Sequence, residues 1–335
     1  MGLEIKRQLQ IGGYFGLDVQ GGRHFHTTEQ RYNTARSALV AFCQAVVVAS
    51  GRQLSILLPR FNCPDVVEAL EGLPEIEVIP YSINENLEPI LPDPGAAGSA
   101  LYFVNLFGLK SAYAARVPMG SIVDNVHAFF SAPVENAHTI YSARKFFGVP
   151  DGAYLYSNVR PPVPPPYVAW ENSVYLLQRI DVGARAGYQR FSESERALSG
   201  SDIRGMSLLS QSLLGSMDYA KFAKKRRANF EYLHDRLGTS NEMRALIDQA
   251  LAESSFVPLC YPHLSGNGAH LREFLISEGI FIPRYWESIG ADPLATPFER
   301  HLAMNALHLP IDQRYGRSEM DAIVSRVDAA APSKN

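Results

Sequence analysis

The 335-residue sequence has only three cysteines, Cys43, Cys63 and Cys260. The number is odd and no pair has the short spacing of metal ligands, which argues against a disulfide framework and for a reducing cytoplasm. Charge of one sign is missing too: Lys and Arg total 31 against 34 for Asp and Glu, a net charge of -3. There is no global basic field to hold nucleic acid or an anionic membrane, so neither is an expected partner. Long apolar runs are absent. The longest, LVAFCQAVVVAS from Leu39, is too short to span a bilayer and contains Gln44. The opening MGLEIKRQLQIGG lacks a signal-peptide core, and Lys6 stands where a myristoylated Gly2 requires Ser or Thr. No repeat of fixed period is found. A 46% hydrophobic and 19% charged composition excludes large-scale disorder.

What is present reads as alternating short strands and helices. The first 30 residues are glycine-rich and irregular, an arm or loop. TARSALVAFCQAVVVAS from Thr34 has apolar residues at helical spacing, with Thr34 as cap. QLSILLP reads as a buried strand, DVVEALEGL as a helix opened by Pro64-Asp65, and IEVIPYSI, ALYFVNLFG and SIVDNVHAFF as strands. HTIYSARKFFGVPDGAYLYSN holds two strand-like runs around a Pro150-Asp151-Gly152 turn. This alternation predicts a mainly parallel sheet with helices on both faces, whose ligands bind beyond the carboxyl ends of the strands. RPPVPPPY (160–167) is a stiff connector. A helical region follows from about Asp202 to Leu237, and its KKRR run from Lys224 reads as a solvated face. SFVPLCYP, IFIPRYW and the end of FERHLAMNALHLPI read as strands of a compact α+β unit, with LPIDQRY the last strand and its turn. HLREFLISEG, the start of FERHLAMNALHLPI, and SEMDAIVSRV read as its helices.

Chemistry concentrates between Asp124 and Gly152. Asp124 ends an apolar strand. Lys145 lies among Tyr141, Phe146, Phe147 and Val149. A lysine in apolar surroundings has a lowered pKa and can present a neutral amine to a carbonyl. Taken singly, Lys145 can equally snorkel to solvent and Asp124 can be a turn former. Their order raises the reading: a small, hydroxyl-rich helix start, then an acid at a strand end, then a lysine on a turn. A pyridoxal phosphate site needs these three, for the phosphate, the ring nitrogen and the aldehyde. Other constellations are weaker. His24 and His26 share a face on a strand but have no third ligand nearby, so no metal is expected. Ser142 and Lys145 match a Ser-x-x-Lys pattern, yet Gly148 and Pro150 stop the helix it needs. Cys63 reads as a small core cysteine or, less well, a nucleophile.

The sequence resembles the fold-type-I pyridoxal-phosphate-dependent transferases, and within them the DegT/DnrJ/StrS-type sugar aminotransferases. TARSAL (34–39) stands where the family has its phosphate-binding helix start. ILLPRFNCPDVVEAL stands at its strand and the loop over the cofactor. IEVIPYSINENLEP and YFVNLFG follow in family order. VDNVHA resembles the acidic segment and YSARKFFGVPDGAYLY the lysine segment. The resemblance implies that Lys145 holds the cofactor, that Asp124 faces the pyridine nitrogen, and that His127 lies near the ring oxygen. It implies phosphate anchoring by Thr34, Ala35, Arg36 and Ser142. For Arg36 a surface ion pair is the other reading. The family's stacking aromatic corresponds to Cys63, with Phe61 two residues earlier. Its asparagine-tyrosine-arginine motif is absent. IRGMSLLSQ is the nearest segment and keeps Arg204. Arg284 is a candidate substrate ligand or a structural salt bridge. Lys145 argues against the family's dehydratase branch, in which a histidine replaces the lysine.

The implied fold class is α/β, a fold-type-I transferase with a mainly parallel large domain and a smaller α+β C-terminal domain. The expected division is an arm over 1–30, a cofactor-binding domain over 31–205, and a helix plus small domain over 206–335. The implied function is a cytoplasmic, homodimeric aminotransferase with shared active sites, moving an amino group from an amino acid, with glutamate the usual donor, to a keto sugar, plausibly nucleotide-linked. The alternatives are another pyridoxal phosphate reaction on a non-sugar substrate, and an inactive binding protein on the same fold.

Overall fold

The computed structural model describes residues 11–19, 21–92 and 98–330. Residues 1–10 of the expected arm, with Gly2 and Lys6, and residues 331–335 lie outside them.

The first strand, β1 (Arg31–Tyr32), runs directly into α1 (Ala35–Ser50). Thr34 caps that helix in an extended conformation, its side chain accepting from the Ser37 amide, and Gly51 ends it in the left-handed region at a φ of 63°. Next come β2 (Leu54–Pro59), α2 (Pro64–Glu71), β3 (Ile76–Ile83), β4 (Pro89–Ile90) and β5 (Ala100–Val104). A short α3 (Ser111–Ala114) precedes β6 (Ile122–Asp124), β7 (His138–Ser142) and β8 (Ala153–Tyr156). These eight strands form one sheet in the order β1-β8-β7-β6-β5-β2-β3-β4. The inner five pair parallel; β8 and β4 run antiparallel to their neighbours, and β1, antiparallel to β8, runs the same way as the inner five. The central strands are apolar almost throughout because both faces are covered. α1 packs across β2, β7 and β8.

Register decides where chemistry can sit. Val104 pairs with Asp124, and Asp124 with Ile140, so β5 and β6 end level and β7 runs two residues further, to Ser142.

Beyond the proline-rich connector, a helical hairpin of α4 (Val174–Val182) and α5 (Ala184–Ser199) appears that the sequence pattern did not signal. The helical region expected from about Asp202 to Leu237 holds two helices, α6 (Leu208–Gly215) and α7 (Tyr219–Leu237), each with its own cap, Ser207 and Asp218. The final unit comprises α8 (Arg244–Leu251), β9 (Tyr261–Leu264), α9 (Gly268–Ser277), α10 (Pro297–Asn305), β10 (Ala306–Leu309) and α11 (Arg317–Ala329). β9 and β10 form a two-stranded antiparallel sheet.

Three strand expectations need correction here. Only Tyr261–Leu264 of the SFVPLCYP region is strand; Pro258 before it has no N–H for a ladder. IFIPRYW is irregular, because Pro283 again lacks a donor and Trp286 adopts a φ of 54°. In LPIDQRY the strand stops at Leu309, before Pro310. The basic run is also not a solvated face. Arg226 is 1% exposed, and Arg227 donates to the carbonyls of Leu251 and Glu253.

Candidate active site

Asp124 closes β6 and is 4% exposed. Its Oδ2 accepts from the Tyr102 hydroxyl at 2.6 Å, and its Oδ1 from the Val126 amide at 2.9 Å. Burial pushes its carboxyl pKa up, opposed by those two hydrogen bonds and by the nearby Lys145 charge.

Lys145 follows β7 by three residues, on the turn that leads to β8. Its side chain is exposed to solvent although many protein atoms surround it. Its Nζ makes no hydrogen bond or ion pair among the described residues and lies 5.1 Å from the centre of the Tyr285 ring. Its deep position pushes the ammonium pKa down. The nearby Cys63 and Asp124 work against that shift, and Arg144 adds to it.

His127 is fully buried. Its Nδ1 accepts from the Phe107 amide at 3.3 Å, which leaves the ring proton on Nε2. That Nε2 is buried without a partner. Burial, with Lys145 and His308, holds its pKa well below the usual histidine range, so the imidazole is neutral. The Phe107 amide is aimed by an unusual turn: Phe107 has a φ of 57° and Gly108 a φ of 78°. A Cβ at Gly108 would stand 3.1 Å from the His127 carbonyl oxygen.

The start of α1 reaches the same segment through the backbone. Gly152 donates to the Asn33 carbonyl and accepts from the Ala143 amide. The α1 N-terminus is therefore tied to the Ser142–Lys145 stretch. The Thr34 hydroxyl is used within the cap, donating to the Ser37 hydroxyl at 2.9 Å. The amides of Ala35 and Arg36 stand in the first turn, where no carbonyl of the helix can take them. Ser142, buried at the end of β7, makes no side-chain hydrogen bond. The Arg36 guanidinium is held by Asp65 at 3.2 Å and the Leu198 carbonyl at 2.7 Å, which is the ion-pair reading of that residue.

Phe61 is buried edge-to-face against Trp286, with ring centres 4.8 Å apart. Cys63 stands half-buried ahead of α2, close enough to Lys145 and Asp124 to feel both charges, and burial raises its thiol pKa. Arg204 pairs with Asp202 and Arg284 with Glu287, so both guanidiniums have acidic partners of their own. His24 bonds the Tyr154 hydroxyl and His26 the Phe129 carbonyl. Among the described residues no group of three or more His, Cys, Asp or Glu is placed to hold a metal. Nor is any helix among them long and apolar enough to cross a membrane.

Sequence reasoning missed four residues here. Tyr102 lies on β5, two residues before the end that faces Asp124, and strand alternation places both on one side of the sheet. Tyr285 and Trp286 lie in the FIPRYW segment and stack near His127, with ring centres 5.4 and 6.0 Å away. His308 on β10 packs 4.1 Å from Tyr285 and has a buried, unpartnered Nε2.

Solved structures resemble this chain over most of its length. An aminotransferase of the DegT/DnrJ/EryC1/StrS type from Brucella abortus matches with a TM-score of 0.56 at 14% identity, covering 90% of this chain and 85% of that one. A sugar aminotransferase from Micromonospora echinospora gives 0.56 at 13% identity, covering 90% and 87%. A GDP-4-keto-6-deoxy-D-mannose-3-dehydratase from E. coli, with bound hydrated PLP, gives 0.55 at 14%, covering 89% and 86%. No protein-family model and no curated protein sequence matches. At these identities the likeness is one of fold, and the fold is the fold-type-I transferase architecture that the sequence led us to expect.

Proposed function

We propose that this protein binds pyridoxal phosphate at Lys145 and uses it to move an amino group from an amino acid, glutamate first among candidates, to a keto sugar. The observation that carries the reading is the Lys145 amine: without a hydrogen-bond or ion-pair partner among the described residues, pushed down in pKa, open to solvent, and near enough to Asp124 to feel its charge. The surrounding groups fit the cofactor. The His127 Nε2–H is a buried donor without an acceptor, and a phenolic oxygen would satisfy it. The Asp124 carboxylate suits a protonated ring nitrogen. The amides of Ala35 and Arg36, at the positive end of α1, with the Ser142 hydroxyl, suit a phosphate.

When bound, the cofactor supplies an electron sink that makes an α-carbon proton removable. The chain supplies the rest. Lys145 Nζ would hold the cofactor through its aldehyde and, when free, would take a proton as general base and return it as general acid. Asp124, fixed by Tyr102 and the Val126 amide, would stabilise a protonated ring nitrogen. His127 Nε2 would donate to the cofactor's phenolic oxygen. Tyr285 and Trp286 stand where they can cover the site, the part that an aromatic at Cys63 would otherwise play.

The sugar substrate, its nucleotide linkage, the glutamate donor, a cytoplasmic location and a homodimer with shared sites belong to this proposal, as do a cofactor-binding unit over 31–205 and a small unit over 206–335. They are supported by the sequence resemblance and by neighbours of this fold that include sugar aminotransferases. The packing of Tyr285 on Lys145 favours one alternative, a binding protein in which this ring covers the lysine.

The deciding experiment is the visible absorbance of the purified protein with added pyridoxal phosphate, beside Lys145→Ala. A band in the wild type that is absent in the variant and bleached by glutamate is the expected result. No band in the wild type overturns the proposal and leaves the binding protein.

A further inference from the structure

Arg226 of α7 is the largest fully buried side chain among the described residues. Among the described residues no carboxylate lies within salt-bridge distance of it. Its guanidinium instead donates to the Phe146 carbonyl at 2.9 Å, the Leu259 carbonyl at 3.0 Å, the Pro258 carbonyl at 3.3 Å and Gln313 Oε1 at 2.9 Å. It also lies 4.6 Å from the centre of the Phe146 ring. Gln313, just after β10, donates its own Nε2 to the same Phe146 carbonyl at 2.9 Å. That oxygen thus has both lone pairs taken, by two side chains that also bond each other.

Phe146 is the residue after Lys145. Its amide and that of Phe147 both bond back to the Ala143 carbonyl, at 3.0 and 2.9 Å. The turn carrying Lys145 is therefore closed on itself from one side and clamped from the other by two residues of the C-terminal third. A buried cation without an acid partner is costly unless hydrogen bonds satisfy it. Here two of those bonds converge beside the lysine. A helix face needs no such residue for packing alone.

We infer that Arg226 and Gln313 are positioning residues for Lys145: they hold the peptide that follows it and so set where the amine stands. The inference rests on Lys145 being the reactive amine of the proposed function. Displacing a reacting group by about 1 Å can cost about 100-fold in rate, so a small loosening is measurable. Arg227, next along α7, gives a matched control. It also donates to carbonyls, those of Glu253 and Leu251, and none of its bonds reaches the lysine turn.

The test uses the full chain as Gln313→Leu, Arg226→Lys and Arg227→Gln. Gln313→Leu removes one donor to Phe146 and the Oε1 that accepts from Arg226 Nε, but keeps the guanidinium itself, so it is the milder change beside Arg226→Lys. Two readouts are taken beside the melting temperature. The first is the pH dependence of acetylation of Lys145 by acetic anhydride, followed by mass spectrometry without cofactor. The second is the rate at which the visible band forms with pyridoxal phosphate. For Gln313→Leu the acetylation midpoint is expected to move up towards that of an ordinary lysine. The band is expected to form at least ~5-fold more slowly. Arg227→Gln should lower the melting temperature without moving either. If Gln313→Leu matches Arg227→Gln in both readouts, the inference is overturned. Absence of any band in the wild type sinks the proposed function instead, and the acetylation arm still decides this one.

Discussion

Tyr102 donates its hydroxyl to Asp124 Oδ2 at 2.6 Å, from one parallel strand to the next. Tyr102 pairs with Ile122 in the register and Val104 with Asp124, so the two side chains share a face of the sheet and meet on the diagonal. A tyrosine hydroxyl on a carboxylate in the interior favours the charged form of the acid. The carboxylate proposed to face a cationic ring nitrogen thus has its charged form favoured by its neighbour strand, against a burial that pushes its pKa up.

Tyr102→Phe removes that bond and nothing else, since the Tyr81 hydroxyl bonds only the Tyr102 backbone carbonyl. A hydrogen bond to a charged group contributes about 1.5–3 kcal/mol, so pyridoxal phosphate affinity should fall at least about 10-fold. Without the bond the Asp124 pKa rises further. The pH below which binding weakens should therefore move up. Cofactor titrations at several pH values check both points, and an unchanged pH profile would remove Tyr102 from the site.

Arg226→Met takes the guanidinium from the Leu259 and Pro258 carbonyls and from Gln313 Oε1, while the Phe146 carbonyl keeps Gln313 Nε2. Each buried group left unsatisfied costs about 1–3 kcal/mol, giving a total of about 3 kcal/mol or more. Lys224→Met, on the exposed side of the same helix, should change stability by no more than about 0.5 kcal/mol. Urea unfolding of both variants measures the difference, and equal midpoints would mean that burial of Arg226 contributes nothing.

Three buried histidines make the fold acid-sensitive. Burial holds His26 down to about 3, and His263 and His308 down to about 4. Their contribution is fully present above the ordinary value of about 6.5. It is lost as pH falls towards the folded values, because the unfolded chain takes up protons that the folded one does not. The loss reaches about 1.4 kcal/mol per pH unit for each ring. His26→Asn should lower the slope of stability against pH by about one proton between roughly pH 6 and 4. Urea midpoints across that range supply the slope, and a slope equal to wild type would contradict the assignment.

Gly268 begins α9 against the end of α10. A Cβ there would meet the Asn305 carbonyl oxygen at 1.9 Å, and backbone cannot swing aside. Gly268→Ala should destabilise by more than the ~1–3 kcal/mol of ordinary overpacking. Gly266→Ala, two residues earlier with nothing within 4 Å, should be close to neutral. Thermal melts of the pair are sufficient, and similar melting temperatures would show that α9 can shift freely.

Local sequence determined the elements whose signals are local. Thr34 marks the start of α1, IEVIPYSI is β3 to the residue, and Asp124 and Lys145 stand out as an acid at a strand end and a lysine in apolar company. Apolar period and cap chemistry act over a few residues, so they survive in the one-dimensional pattern. The failures arose where a proline or a distant partner overrode that pattern. Pro283 and the left-handed Trp286 kept FIPRYW out of a sheet, and carbonyls of the C-terminal third drew Arg226 inward from what reads as a solvated run. Only the tertiary structure put Tyr102 on Asp124, Tyr285 over Lys145, and Arg226 with Gln313 on the Phe146 carbonyl. Those pairs lie far apart along the chain or on different strands. Strand register and the docking of the last third decide them, and neither leaves a local mark at the residues that meet.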